Sequence, residues 1–200
     1  MARSALRLLA LTLLGVGVWQ VGQGAWIHAK AILAQHLLLR AWGRTLAGAS
    51  AVKPWPWADT WPVARLRVPA HGVDLVVLDG VSGRTLAFAP GRAPGSAPPG
   101  APGTTILAGH RDTHFRFLER LRAGDELILD TPGQPPGRFR VRQTAVVDAR
   151  TAVIRHARDG GAGLVLLTCY PFDALAPGGP LRYVVAAEAA SPLARRTSGE

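Results

Sequence analysis

Two hundred residues suffice for one compact domain with some additional segments. The formal charge of +10 would ordinarily point to nucleic acid or an anionic membrane, yet lysine occurs only at Lys30 and Lys53 and the arginines are scattered. With no zinc-finger spacing, basic helix or aromatic ladder among them, a nucleic-acid partner is excluded, and the single cysteine excludes an internal disulfide.

Arg3 and Arg7 precede an uncharged stretch, residues 8–27, that would reach roughly 30 Å as a helix, about the thickness of a bilayer core. The pattern predicts a retained transmembrane signal anchor over residues 1–27, with the N-terminus in the cytoplasm and the remainder exported. Gln20, Gln23 and interspersed glycines weaken its second half, and Gly22-Gln23-Gly24 resembles a small-residue cleavage site, so a cleaved signal peptide is the alternative. Residues 28–49 read as a juxtamembrane helix. Ile32, Leu38, Leu39, Trp42 and Leu46 share one side, and Lys30, His36, Arg40 and Arg44 lie opposite.

All six tryptophans lie at or before residue 61. Three of them sit in Trp55-Pro56-Trp57-Ala58-Asp59-Thr60-Trp61-Pro62, where repeated proline forbids a helix. This predicts an extended strap, within residues 28–61, whose rings pack on the outside of the domain that follows.

From residue 63 the signals are strands. Ala64, Leu66 and Val68 alternate with Arg65 and Arg67, and residues 73–78 are apolar on both faces. Residues 89–103, rich in Pro, Gly and Ala, predict a long loop. Further strands are expected over 104–110, 126–130, 138–147, 164–169 and 181–187, with a short helical turn over 115–121. Short strands, glycine and proline turns and the lack of a long amphipathic helix beyond residue 50 predict an all-β, closed or nearly closed barrel over residues 62–190, followed by a flexible tail over 191–200.

Three polar groups sit where strands end. Cys169 closes the most apolar strand just before Tyr170-Pro171, His110 follows Thr104-Thr105-Ile106-Leu107-Ala108-Gly109, and Arg182 lies near the start of the last strand. A lone exported thiol is either buried as a small apolar residue or used. An imidazole can take the thiol proton and later protonate a leaving amine, and a guanidinium offers a fixed charge and a fork of donors to an oxyanion. That trio suits acyl transfer through a thioester.

Ala108-Gly109-His110-Arg111-Asp112, then Leu167-Thr168-Cys169, then Arg182 resemble the sortase signature in order and spacing. The Trp-Pro strap and Ala108-Gly109-His110-Arg111-Asp112-Thr113-His114-Phe115-Arg116-Phe117-Leu118 resemble, more narrowly, the sortase class of Gram-negative proteobacteria. The resemblance covers roughly residues 53–188, with one departure at Val165, where many sortases carry threonine. It implies an eight-stranded sortase-type barrel with short helices and an inner-membrane location with the catalytic domain in the periplasm. It also implies cleavage of an exported substrate protein at an LPxTG-like C-terminal motif and transfer to an amine or water. On this reading Cys169 is the nucleophile, His110 the acid/base and Arg182 the oxyanion donor. Thr168 matches the position that helps hold substrate or oxyanion, and Asp112 is a candidate to orient His110. No cofactor and no metal are expected.

The rivals fit less well. His110, Asp112 and His114 invite a zinc reading, but helical metalloprotease sites place glutamate directly after the first histidine, where this chain has Arg111. A cysteine phosphatase needs arginine six residues after its cysteine, and that position is Leu175. The L,D-transpeptidases hold histidine and cysteine in one short segment. The non-enzymatic alternative is a membrane-anchored β-barrel binding module that uses the tryptophan strap.

Overall fold

The computed structural model describes residues 2–152, 162–174, 176 and 178–190. Their contacts form two compact units, Met1–Leu37 and Leu38–Glu200. The expected tail over 191–200 lies outside the described residues.

The N-terminal helix and the expected juxtamembrane helix are one element, α1 (Ala2–Leu46). Among the described residues no helix is long and apolar enough to cross a membrane, so the transmembrane reading of residues 1–27 is not supported. The polar Gln20 and Gln23, with Gly15, Gly17, Gly22 and Gly24, interrupt the leucine- and valine-rich run. The helix stops at Gly48, whose φ of +96° places it in the left-handed region that glycine enters without cost, while Gly48 N–H bonds back to the Thr45 carbonyl at 3.0 Å.

In the second unit eight strands close a barrel. They are β1 (Pro62–Val68), β2 (Val73–Asp79), β3 (Gly91–Arg92), β4 (Gly103–Ala108), β5 (Glu126–Asp130), β6 (Gly137–Asp148), β7 (Ala162–Cys169) and β8 (Leu181–Ala189). Round the barrel the order is β1-β2-β3-β4-β7-β8-β6-β5, with β5 pairing back onto β1. Closure leaves no free sheet edge. Two neighbouring pairs are parallel, β2 with β3 and β4 with β7. A four-residue helix, α2 (Gly83–Leu86), is capped by Ser82, whose hydroxyl accepts the Thr85 N–H at 3.1 Å.

Period-2 alternation selects the inside. Ala64, Leu66 and Val68 of β1, Val77 of β2, Leu107 of β4, Leu127 and Leu129 of β5, Leu164 and Leu166 of β7, and Val185 and Ala187 of β8 fill one core with Phe115 and Leu118. A second, smaller cluster explains why β2 is apolar on both faces. Val76 and Leu78 point outward and pack with Leu38 and Trp42 from the last turns of α1 and with Ala89. Leu38 and Trp42 are therefore on the buried stripe, as the helical pattern predicts, whereas Leu39 and Leu46 are exposed.

The Trp-Pro segment is less extended than expected. Ala58 N–H bonds to the Trp55 carbonyl at 3.0 Å, closing a turn over Pro56 and Trp57. Trp55 packs edge-on against Phe88 at 4.7 Å on the second cluster, while Trp57 is 82% exposed. The presumed loop over residues 89–103 contains β3. Two residues of strand carry no periodicity, but the pairing is demanding at Gly91, where a Cβ would fall 1.9 Å from the Gly80 carbonyl oxygen. Only glycine lets the two backbones approach so closely.

Candidate active site

The site is assembled by three neighbouring strands, β4, β7 and β8. Leu164 and Leu166 face the core, so strand alternation puts Val165, Leu167 and Cys169 on the outer face of β7. Cys169 is a free, half-buried thiol. In the antiparallel register of β7 with β8 its cross-strand partner is Arg182. Residues directly opposite in such a ladder share a face, with Cβ atoms about 4.5–5.5 Å apart. The two side chains predicted to act together are thus held side by side by backbone pairing.

The Arg182 guanidinium is itself oriented. Its Nη1 donates to the Gly179 carbonyl at 2.6 Å and to the Leu181 carbonyl at 2.8 Å. Among the described residues Nε and Nη2 carry no further bond, which leaves them for a substrate oxygen. Val147 of β6 is the partner of Arg182 on its other side. Next to it, the Asp148 carboxyl is held below the usual carboxylate range, mainly by hydrogen bonds from Arg150 and to a lesser extent by the charge of Arg182.

His110 comes from the parallel neighbour. The register of β4 with β7 pairs Ala108 with Leu167, and Gly109 N–H continues the ladder to the Leu167 carbonyl at 3.1 Å. Two residues beyond that pair on each strand stand His110 and Cys169. The Thr168 hydroxyl, 2% exposed, donates to the Gly109 carbonyl at 2.7 Å and ties the two strand ends together. That hydroxyl lies on the barrel side and is already committed.

The turn after His110 is fixed in three ways. Phe115 N–H bonds to the His110 carbonyl at 2.9 Å, and the Phe115 ring is fully buried in the core. Gly109 lies flat against that ring, where a Cβ would come 2.9 Å from Cγ. His114 is half-buried behind His110. Burial pushes its imidazole below the ordinary histidine value, with the nearby charge of His110 acting in the same direction, against a hydrogen bond to the Phe88 backbone and the charge of Asp112. Asp112 is exposed and makes no hydrogen bond to His110 among the described residues. No group of three or more His, Cys, Asp or Glu is placed to hold a metal ion among the described residues.

Two arginines not singled out by sequence reasoning also reach the site. Arg111 Nη2 donates to the Ala174 carbonyl at 2.8 Å and the Ala176 carbonyl at 3.2 Å, and Arg116 Nη1 to the Phe172 carbonyl at 3.1 Å. Both bridge from the His110 turn to the segment after Cys169. The only sequence signal was their place in the quoted run from Ala108 to Leu118. Tyr170 and Phe172 of that segment form an aromatic cluster with Tyr183 of β8, the Phe172 and Tyr183 ring centroids 5.2 Å apart.

A closed eight-stranded barrel with cysteine, histidine and arginine at adjacent strand ends defines a class. Over residues 66–190 the chain matches the model of the sortase domain, and it belongs to the sortase family, whose members are cysteine transpeptidases. It is 31% identical to Sortase D of Bacillus subtilis (strain 168) over 121 residues. That match spans 60% of this chain and 60% of the relative, so less than two thirds of the relative's length is covered. Among solved structures it is similar to sortase C-1 from Actinomyces oris, with TM-score 0.58 and 27% identity, over 66% of this chain and 75% of that one. Sortase A from Corynebacterium diphtheriae shares the fold at TM-score 0.60 and 19% identity, over 81% of this chain and 86% of that one.

Proposed function

We propose that this chain cleaves an exported protein at an LPxTG-like C-terminal motif and transfers the new carboxyl end to an amine, or to water where no amine is supplied. The reaction divides into two acyl transfers. His110 takes the Cys169 proton as the thiolate attacks the Thr–Gly carbonyl carbon. The tetrahedral oxyanion is met by the free donors of Arg182, and collapse expels the glycine amine, which His110 protonates. The incoming amine then loses a proton to His110 while it attacks the thioester, and Cys169 leaves as the thiolate.

The observation that carries this reading is the pairing of Cys169 with Arg182 across the β7–β8 ladder, beside a histidine strand end tied to β7 by Thr168. Arginine in this place suits an oxyanion better than lysine would, because its donors form a rigid fork. Sequence likeness in the Trp-Pro strap and in the run from Ala108 to Leu118 supports a sortase of the Gram-negative class, with the barrel working in the periplasm. Incubating the protein with LPxTG-type peptides, with and without an added amine, tests the reading by mass spectrometry. An acyl adduct on Cys169 and an amine-dependent product are expected. A wild-type protein that cleaves no such peptide and forms no adduct refutes it.

A further inference from the structure

The segment joining β7 to β8 follows directly on Cys169; Phe172 anchors its start in the barrel core, and Gly179 and Pro180 at its far end are held through their carbonyls by Arg182 and by the Ala149 N–H. Pro171 and Pro180 have no N–H, and Gly178 and Gly179 are conformationally permissive. Ala174 N–H reaches the Pro171 carbonyl only at 3.5 Å, and Tyr170 N–H bonds the Leu181 carbonyl at 3.1 Å where the segment closes. The carbonyls of Phe172, Ala174 and Ala176 are instead taken by the guanidinium groups of Arg111 and Arg116. Bonds from a charged donor are among the stronger kind available to a backbone carbonyl.

Both arginines stand on the turn that carries His110. That turn is anchored to the core by Phe115 and by the Phe115 N–H bond to the His110 carbonyl. It is the firm side of the contact, and the part of the segment beyond Phe172, whose own ring is buried in the core, is the side being held. Arg116 also lies 3.4 Å from Glu119, an exposed pair on the same turn that adds little.

We propose that Arg111 and Arg116 are positioning residues that clamp the segment after Cys169 against the His110 turn and so set the width of the cleft entered by the substrate peptide. The proposal rests on the sortase reading given above. Among the described residues both arginines bond to backbone carbonyls of that segment and make no hydrogen bond to the thiol. Their effect is on where the substrate backbone lies relative to Cys169 and His110.

The test compares full-length wild type with Arg111→Ala, Arg116→Ala, Arg111→Lys and the double alanine variant in three measurements. Hydrogen exchange of the amides in residues 170–176 should speed up in the alanine variants. Alkylation of Cys169 by iodoacetamide, a probe too small to need the cleft, should stay within about threefold of wild type, whereas kcat/KM for an LPxTG-type peptide should fall on the order of 10- to 100-fold, mainly through KM. Arg111→Lys, which keeps a donor, should recover part of the loss. Unchanged exchange and unchanged kcat/KM in the double variant would overturn the clamp. So would a joint collapse of alkylation, cleavage and thermal stability, which would make the two arginines general supports of the fold. If wild type itself cleaves no peptide, the sortase reading fails, and the exchange measurement by itself keeps or removes the clamp.

Discussion

Thr168 and Gly109, 59 positions apart in the chain, are joined by a buried hydrogen bond of 2.7 Å from the threonine hydroxyl to the glycine carbonyl. Each immediately precedes a residue of the proposed catalytic pair, Cys169 and His110. The spacing between nucleophile and base is thereby tied to one side-chain bond between two parallel strands. Thr168→Val keeps the shape but leaves the Gly109 carbonyl without that donor, at a cost of about 1–3 kcal/mol. The variant should unfold at lower denaturant and lose turnover, and Thr168→Ser should restore most of both. A valine variant of wild-type stability and activity would remove the bond from the account of the site.

Cys169→Ala should abolish cleavage of an LPxTG-type peptide while leaving the barrel folded, because the thiol lies half-buried on the outer face and carries no part of the core. Circular dichroism and peptide mass spectrometry check the two halves of that statement. Undiminished turnover by the alanine variant would end the assignment of Cys169 as nucleophile.

Arg182→Lys separates charge from geometry. The guanidinium is held by the Gly179 and Leu181 carbonyls through Nη1, with its other nitrogens directed elsewhere. A lysine ammonium satisfying those carbonyls has no rigid second arm to offer an oxyanion. Loss of one such donor costs about 10²–10³ in turnover, so kcat should drop on the order of 100-fold with a much smaller change in KM. Steady-state cleavage by a folded lysine variant within about threefold of wild type would refute the oxyanion role.

Gly109→Ala probes the turn from the other side. Its Cβ would come 2.9 Å from the ring of Phe115, which is fully buried in the core. Overpacking of this kind costs about 1–3 kcal/mol. The expected result is a lowered melting temperature with a steeper loss of peptide cleavage, since His110 is the next residue.

Away from the site, Asp125 links pH to stability. Its carboxyl accepts the Arg122 N–H at 2.9 Å and lies 3.3 Å from His71 Nε2, which together hold it below the usual carboxylate range, the Arg122 bond contributing most. A carboxyl depressed in the folded state stabilises the fold above the ordinary carboxylate range, and that contribution is lost as the pH falls through the depressed value. Asp125→Asn should therefore be less stable than wild type at neutral pH, with the gap closing on acidification. Urea midpoints across the pH range measure it, and a gap that persists in acid would contradict the sign.

Much of this molecule is written locally. The alternation of Ala64, Leu66 and Val68 with Arg65 and Arg67, the double-sided apolar run of β2, and the positions of Cys169, His110 and Arg182 at strand ends are all legible, because side-chain period and turn residues act over a few positions. The merging of two expected helices into α1 was missed because Gln20, Gln23 and the glycines at 15, 17, 22 and 24 read as a break, although the run holds no proline and the helix continues through them. Nor was β3 legible, whose two residues exist as strand only because Leu78 and Asp79 on one side and Ala108 and Leu107 on the other come close enough to pair with them. The partners of Arg111 and Arg116 were invisible for the same reason. Their acceptors are backbone carbonyls 63 and 56 positions away, common to every residue type, so no side chain advertises them. The chemistry of the proposed site is fixed by residue identity, while its spacing is fixed by register across β4, β7 and β8, which only closure of the barrel decides.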